Sequence, residues 1–193
     1  MSLNEFKTSF FGGTRQNRFL ITGNFPTAAN NQQNQNNNPV SGTQYLHVRS
    51  TLIPTLQTST VSYDYFGRKY HYPGEKLYST WSVSVMDDNP NLVASQNNLW
   101  RQFQNWHNNI NNHQTNLTIF ESNENAYKVS WTVRHLDLNG GVLKTFILNG
   151  LWPRSINEVS FNMARPNVIN TFNVVFVYDT LSILGVTDQN ITR

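Results

Sequence analysis

The chain contains no cysteine. That absence removes a disulfide framework, thiolate zinc sites and every cysteine nucleophile, and it leaves the redox compartment unmarked by thiol usage. Charge is scarce as well: Asp, Glu, Lys and Arg make up 13% of the residues, about half the usual share of a soluble domain. The net charge of +3 is small and dispersed, with its densest basic spot at Arg68-Lys69 beside His71. That distribution argues against sequence-specific nucleic-acid binding. No run approaches the roughly eighteen apolar residues of a membrane span. The start, MSLNEFKTSFFGG, lacks the basic-then-apolar order of a signal peptide. The expectation is a soluble, unprocessed chain with no membrane partner.

Common catalytic motifs are missing too. No GxSxG elbow, P-loop or GxGxxG occurs, and Gly12-Gly13 and Gly140-Gly141 lack the strand–turn–helix setting of a phosphate cradle. His47, His71, His107, His113 and His135 form no metal-ligand spacing with one another or with a carboxylate. Asp64, Asp87, Asp88, Glu121 and Glu124 could meet in space as a hydrolase pair. Asp87-Asp88 before Pro90 is better explained by a helix N-terminus, where negative charge is favoured by about 0.3–1 kcal/mol. The expectation is therefore no catalytic residue, no metal and no cofactor.

What is present is amide, hydroxyl and aromatic. Asparagine fills 29 of 193 positions and aromatics 13%, so solubility rests on neutral polar groups, in one domain long enough for a sizeable core. Residues 27–42, TAANNQQNQNNNPVSG, carry neither charge nor aromatic ring. Too apolar-poor to offset their ordering entropy, they read as a flexible loop between strands.

Period-two alternation dominates the rest. It predicts strands over Asn17–Phe25, over Tyr45–Ser50 ending near Pro54, and over Gln57–Phe66, the last half-buried through Val61, Tyr63 and Tyr65. Arg68–Tyr72 reads as a short return closed by a Pro73-Gly74 turn. Leu77–Met86 alternates most cleanly, with Trp81, Val83 and Val85 against Thr80, Ser82 and Ser84. After a helix start at Asp87–Pro90, the one convincing helix carries a stripe of Leu99, Phe103, Trp106 and Ile110 surrounded by amides, Gln102 among them. Tyr127–Leu136 sets Trp131 and Val133 opposite Lys128, Ser130, Thr132 and Arg134, and Asn139-Gly140-Gly141 turns the chain into Val142–Leu148. Glu158–Met163 and Ile169–Tyr178 follow as strands around the turn at Arg165–Asn167. The tally of about eight strands and one helix predicts a mainly β fold, a sandwich or partly open barrel. Trp81, Trp100, Trp106 and Trp131 lie on or next to apolar faces, where core packing is the commoner role. Trp152 alone falls in a turn. A monomeric carbohydrate-binding sandwich is the competing reading from another class.

Several local patterns, in order, resemble the tail tube proteins of contractile-tailed bacteriophages of the T-even kind. Gly12-Gly13-Thr14-Arg15-Gln16-Asn17-Arg18-Phe19 leads into a strand and Phe25-Pro26. Phe66-Gly67-Arg68-Lys69-Tyr70, Pro73-Gly74 and then Trp81-Ser82-Val83-Ser84-Val85-Met86-Asp87-Asp88 resemble the family's Gly-Arg, Gly, Trp-x-Val-x-Val-x-Asp stretch. Arg101, Phe103 and Trp106 stand in the helix motif, and Gly150-Leu151-Trp152-Pro153 precedes Ile156, Glu158, Phe161 and the strand Ile169–Asp179.

The resemblance implies a single tail-tube domain over residues 1–193, with 27–42 as an insertion and 180–193 as a C-terminal extension. It implies a structural virion protein: hexameric rings, strands joined into a ring-shaped β-barrel, rings stacked head to tail as the inner tail tube. Expected partners are copies of itself, the tail sheath protein, the baseplate or tube initiator, the tail terminator, and genomic DNA sliding non-specifically through the channel. Assembly would occur in the host cytoplasm and the product would reside in the virion tail. Thr80, Ser82, Ser84, Ser130 and Thr132 are the candidates for the channel wall, since short hydroxyls avoid the phosphate attraction of Lys and Arg. Lys128 and Arg134 share that presumed face, with Asp64 as a possible offset. A tube initiator or terminator of the same assembly is the nearest alternative.

Overall fold

A computed structural model describes residues 2–10, 13–26, 44–87, 99–112, 114–118, 126–159, 161–164 and 167–185. The alternating stretches form ten antiparallel strands. They are β1 (Phe19–Gly23), β2 (Gln44–Tyr45), β3 (Val48–Thr51), β4 (Leu56–Tyr65), β5 (Arg68–Tyr78), β6 (Trp81–Met86), β7 (Val129–Leu136), β8 (Val142–Ile156), β9 (Thr171–Val177) and β10 (Thr180–Gly185). Two helices accompany them, α1 (Leu3–Phe10) and α2 (Leu99–Ile110). Eight strands make one open sheet in the order β2-β1-β7-β8-β9-β6-β3, with β10 attached to β8, while β4 and β5 form a separate two-stranded ribbon. The fold is mainly β, a partly open barrel.

Strand β8 joins the two halves of the sheet. Lys144–Asn149 pairs with β10, and Trp152–Ile156 pairs with β9. Between them Gly150 has φ +67°, and a Cβ there would collide with the Asp179 carboxylate. Only glycine fits this step at low cost.

The core lies between α2 and one face of the sheet. Trp81, Val83 and Val85 from β6, Trp131 and Val133 from β7, and Phe172, Val174 and Phe176 from β9 meet Phe103 and Trp106 of α2. Ring centroids stand 5.1 Å apart for Trp131–Phe176 and 5.4 Å for Trp81–Phe176. Large buried indoles need partners for their N–H groups. Trp81 Nε1–H donates to Thr51 Oγ1 (2.8 Å), Trp106 to the Tyr127 carbonyl (2.8 Å) and Trp131 to the Asn24 carbonyl (2.9 Å).

Several expectations need correction. A second helix, α1, opens the chain: Ser2 Oγ accepts from the Glu5 amide (3.2 Å) and Glu5 Oε2 from the Ser2 amine (2.6 Å), a reciprocal capping box. Pro73-Gly74 is no turn, because β5 runs through it. The register of the ribbon shifts between Thr58 and Thr60, opposite this pair, and the ribbon's free outer edge tolerates a residue without an amide proton. The turn is instead Phe66-Gly67, with φ +48° and +74°, the two positive angles of a type I′ hairpin. Leu77–Met86 is two strands separated by Ser79-Thr80. Trp152 belongs to β8. Asn157–Val159 and Phe161–Ala164 form no strand, and Phe161 and Met163 project into solvent. Gln102 is buried beside the apolar stripe of α2. The expected helix start after Asp87, the amide-rich insertion, His113, Asp88, Glu121 and Glu124 lie outside the described residues.

Candidate functional site

The face of the sheet opposite the core carries most of the candidate wall residues. On β6, Ser84 stands opposite Asn173 and Ser50, and Ser82 opposite Val175. On β7, Thr132 stands opposite Thr22 and Ile147. Ser130 donates to Asn149 Oδ1 (2.9 Å), and Asn149 Nδ2 donates to Thr180 Oγ1 (3.3 Å). A polar ladder therefore crosses β7, β8 and β10. The structure keeps Ser82 with Ser84 and Ser130 with Thr132, but β8 and β9 separate the two pairs. Thr80 is in no strand; it is exposed in the link between β5 and β6.

Lys128 does not use Asp64. Its Nζ lies 3.0 Å from Asp179 Oδ2, beside the Gly150 step, whereas Asp64 faces Lys69 across the ribbon. Arg134 sits between Leu20 and Thr145 and is exposed. Burial, and secondarily the neighbouring Tyr78 phenol, raises the pKa of Tyr178 above the ordinary tyrosine value. Its hydroxyl finds no hydrogen-bond partner among the described residues.

Among the described residues three strands of the sheet keep an unpaired side: the two-residue β2, which pairs only with β1, and the longer β3 and β10. Among the described residues β3 pairs only with β6, and β10 only with β8. Such rows of free N–H and C=O groups are templates for another chain. Apolar side chains flank both: Ile183 and Leu184 on β10, and Phe161, Val168 and Ile169 beside Arg49 of β3, around a pocket of about 460 Å³.

The β4–β5 ribbon is a third surface, and it overturns the expected half-burial of β4. Val61, Tyr63, Tyr65, Tyr70 and Tyr72 share one face, yet all are exposed. Their face lacks a covering layer within the described residues. Alternation identified a two-faced strand correctly but not its cover.

Helix α2 points Leu99, Phe103, Trp106 and Ile110 into the core, while Arg101, His107 and Asn108 face solvent. No cluster of three His, Asp or Glu able to hold a metal occurs among the described residues, and no described helix is long and apolar enough to cross a membrane. The surfaces the described residues offer are strand edges, a polar sheet face and an aromatic ribbon.

Comparison with known proteins gives these surfaces a context. The sequence model of the family "Phage tail tube protein" matches residues 14–184, nearly the whole chain and all ten strands but the last residue of β10. The chain belongs to the phage tail tube protein family. The tail tube protein of Serratia phage KSP90 is 25% identical over 175 residues, covering 89% of this chain and 90% of that protein. Tail tube protein gp19 of Enterobacteria phage T4 is 24% identical over 132 residues, 68% of this chain and 76% of its own. A tube-containing structure, the sheath-tube complex of the PVC extracellular contractile injection system in its extended state, shares the fold with a TM-score of 0.62 at 15% identity, covering 96% of this chain and 99% of that one. A tail tube protein is a virion component, and the resemblance read from the motifs holds across the chain.

Proposed function

We propose that copies of this chain close into six-membered rings that stack head to tail as the inner tube of a contractile tail, through which DNA passes. The observation that carries this reading is the pair of unpaired edges, β3 and β10, in a sheet of tail tube fold. Joining unlike edges repeatedly closes a ring and consumes the free backbone groups, leaving a channel too wide for side chains to fill. The hydroxyls of Ser82, Ser84, Ser130 and Thr132 would line that channel, with Thr80 at its rim. Pairing of Lys128 with Asp179 supports this assignment, since it removes one unneutralised cation from the polar ladder. Arg134 is the exception and a point of weak phosphate attraction.

The solvent face of α2 would meet the sheath protein, and the ring ends the baseplate initiator and the terminator. A scaffold role of this kind requires no catalytic step or cofactor. Negative-stain imaging of concentrated protein tests the reading: hollow filaments or six-fold rings are expected, and persistent monomers would refute it. Copy number in particles distinguishes a tube polymer from a terminator that closes one end.

A further inference from the structure

Two Asn-Gly dipeptides occur in the chain, Asn139-Gly140 and Asn149-Gly150. Asparagine is a thermolabile residue, and before glycine it is open to one spontaneous reaction. The nitrogen of the following residue must reach the side-chain Cγ, and glycine brings no side chain to obstruct it. The fold treats the two pairs in opposite ways.

Asn149 is held. It lies within β8, where its Oδ1 accepts from Ser130 Oγ at 2.9 Å and its Nδ2 donates to Thr180 Oγ1 at 3.3 Å. Its carbonyl accepts from the Asp179 amide at 2.9 Å. Beside Gly150 the Asp179 carboxylate fills the space a Cβ would take. To reach the Gly150 nitrogen, the Asn149 carboxamide would have to leave both partners inside a strand flanked by β7 and β10.

Asn139 is free. It stands exposed at the tip of the β7–β8 hairpin, and its carboxamide has no hydrogen-bond partner among the described residues. The left-handed position of the turn belongs to Gly140, at φ +86°, and nothing lies within 4 Å of a Cβ built there. The turn therefore needs the glycine and makes no use of the amide beside it. At the base of the turn the Asp137 amide donates to the Gly141 carbonyl at 2.8 Å, whereas Gly140 donates a longer bond, 3.2 Å, to the Asp137 carbonyl. Residues 138–140 can open locally while β7 and β8 stay paired.

We infer that Asn139 is a site of self-modification, where the hairpin tip converts from amide to carboxylate while Asn149 stays intact. The Gly140 nitrogen loses its proton to solvent base and attacks Asn139 Cγ. A C–N bond closes a five-membered succinimide, and the Cγ–Nδ2 bond breaks with departure of ammonia. Water then opens the ring at either carbonyl, giving aspartate or isoaspartate with no change of oxidation state. The product adds a negative charge to a chain of formal net charge +3. It does so beside Asp137 and Leu138, which line a pocket of about 270 Å³ with Arg15 and Arg18. The isoaspartate form also lengthens the main chain inside the turn. This assignment does not depend on the tube reading.

The test incubates the folded full chain at mildly alkaline pH and maps its peptides by mass. The Asn139 peptide is expected to gain about 1 Da and to become a methyl acceptor for an L-isoaspartyl methyltransferase, about tenfold or more faster than the Asn149 peptide. Asn139→Gln, whose longer side chain would have to close a less favourable six-membered ring, is expected to remove most of the acidic species seen on isoelectric focusing. In guanidinium chloride both dipeptides are expected to react at similar rates, because the contrast comes from the fold. Equal rates in the folded chain, an acidic species that persists at the wild-type level in Asn139→Gln, or a preference for Asn139 that survives unfolding overturns the assignment.

Discussion

The sheet strand β6 and the ribbon strand β4 alternate equally well, yet one is core and the other is bare. In β6, Trp81, Val83 and Val85 are fully buried in the core with α2, β7 and β9; in β4, Val61, Tyr63 and Tyr65 are covered by no layer among the described residues. Alternation reports that a strand has two chemically different faces. It does not report which molecule supplies the second layer. A two-stranded ribbon is marginal by itself, and no described residue of its own chain forms a layer over its apolar face.

The contrast can be broken most forcefully in the core. Trp106→Ala removes an indole with no exposed surface together with its hydrogen bond to the Tyr127 carbonyl. It should lower unfolding free energy by about 3–5 kcal/mol, read as a large drop in midpoint in chemical denaturation. Gly150→Ala comes next: positive φ and collision with Asp179 should cost about 1–3 kcal/mol, measured in the same way. On the ribbon, Tyr63→Ala loses its edge-to-face partner Tyr72. In the free subunit it should cost no more than about 0.2–1 kcal/mol, with faster amide exchange confined to β4 and β5, yet it should depress filament yield. If Tyr63→Ala destabilised the monomer as much as Trp106→Ala, the distinction between the two strands would fail. Lys128→Ala should cost about 0–1 kcal/mol, since the pair with Asp179 is half in solvent.

The smallest effect concerns pH. The raised Tyr178 pKa means that the unfolded chain releases the phenolic proton before the folded one does. This contribution is whole below the ordinary tyrosine value of about 10 and is lost as pH rises through the higher folded value. Tyr178→Phe should leave melting at pH 8 unchanged or slightly raised and flatten the alkaline decline.

Strands β6, β7 and β9 and helix α2 were legible because large rings stand at every second or every third-to-fourth position and the intervening residues are small and polar. Helix α1 was missed although Ser2 and Glu5 carry the spacing of a capping box. Glu158–Met163 alternates as neatly as any strand, yet its described residues join no strand, Met163 lies in a turn, and Phe161 and Met163 stand in water. Ser82, Ser84, Ser130 and Thr132 could be placed on strands from their spacing alone. That two strands separate these pairs, and that Lys128 chooses Asp179 over Asp64, depends on pairing between segments far apart in the chain, which local periodicity does not encode.

One consequence follows from the fifteen residues of β8. The same covalent strand is zipped to β10 along its first half and to β9 along its second. A load applied across the subunit is therefore carried in shear by many bonds at once instead of being peeled apart pair by pair. In a tail tube subunit that uninterrupted backbone acts as a tie-rod, coupling the two halves of the sheet covalently.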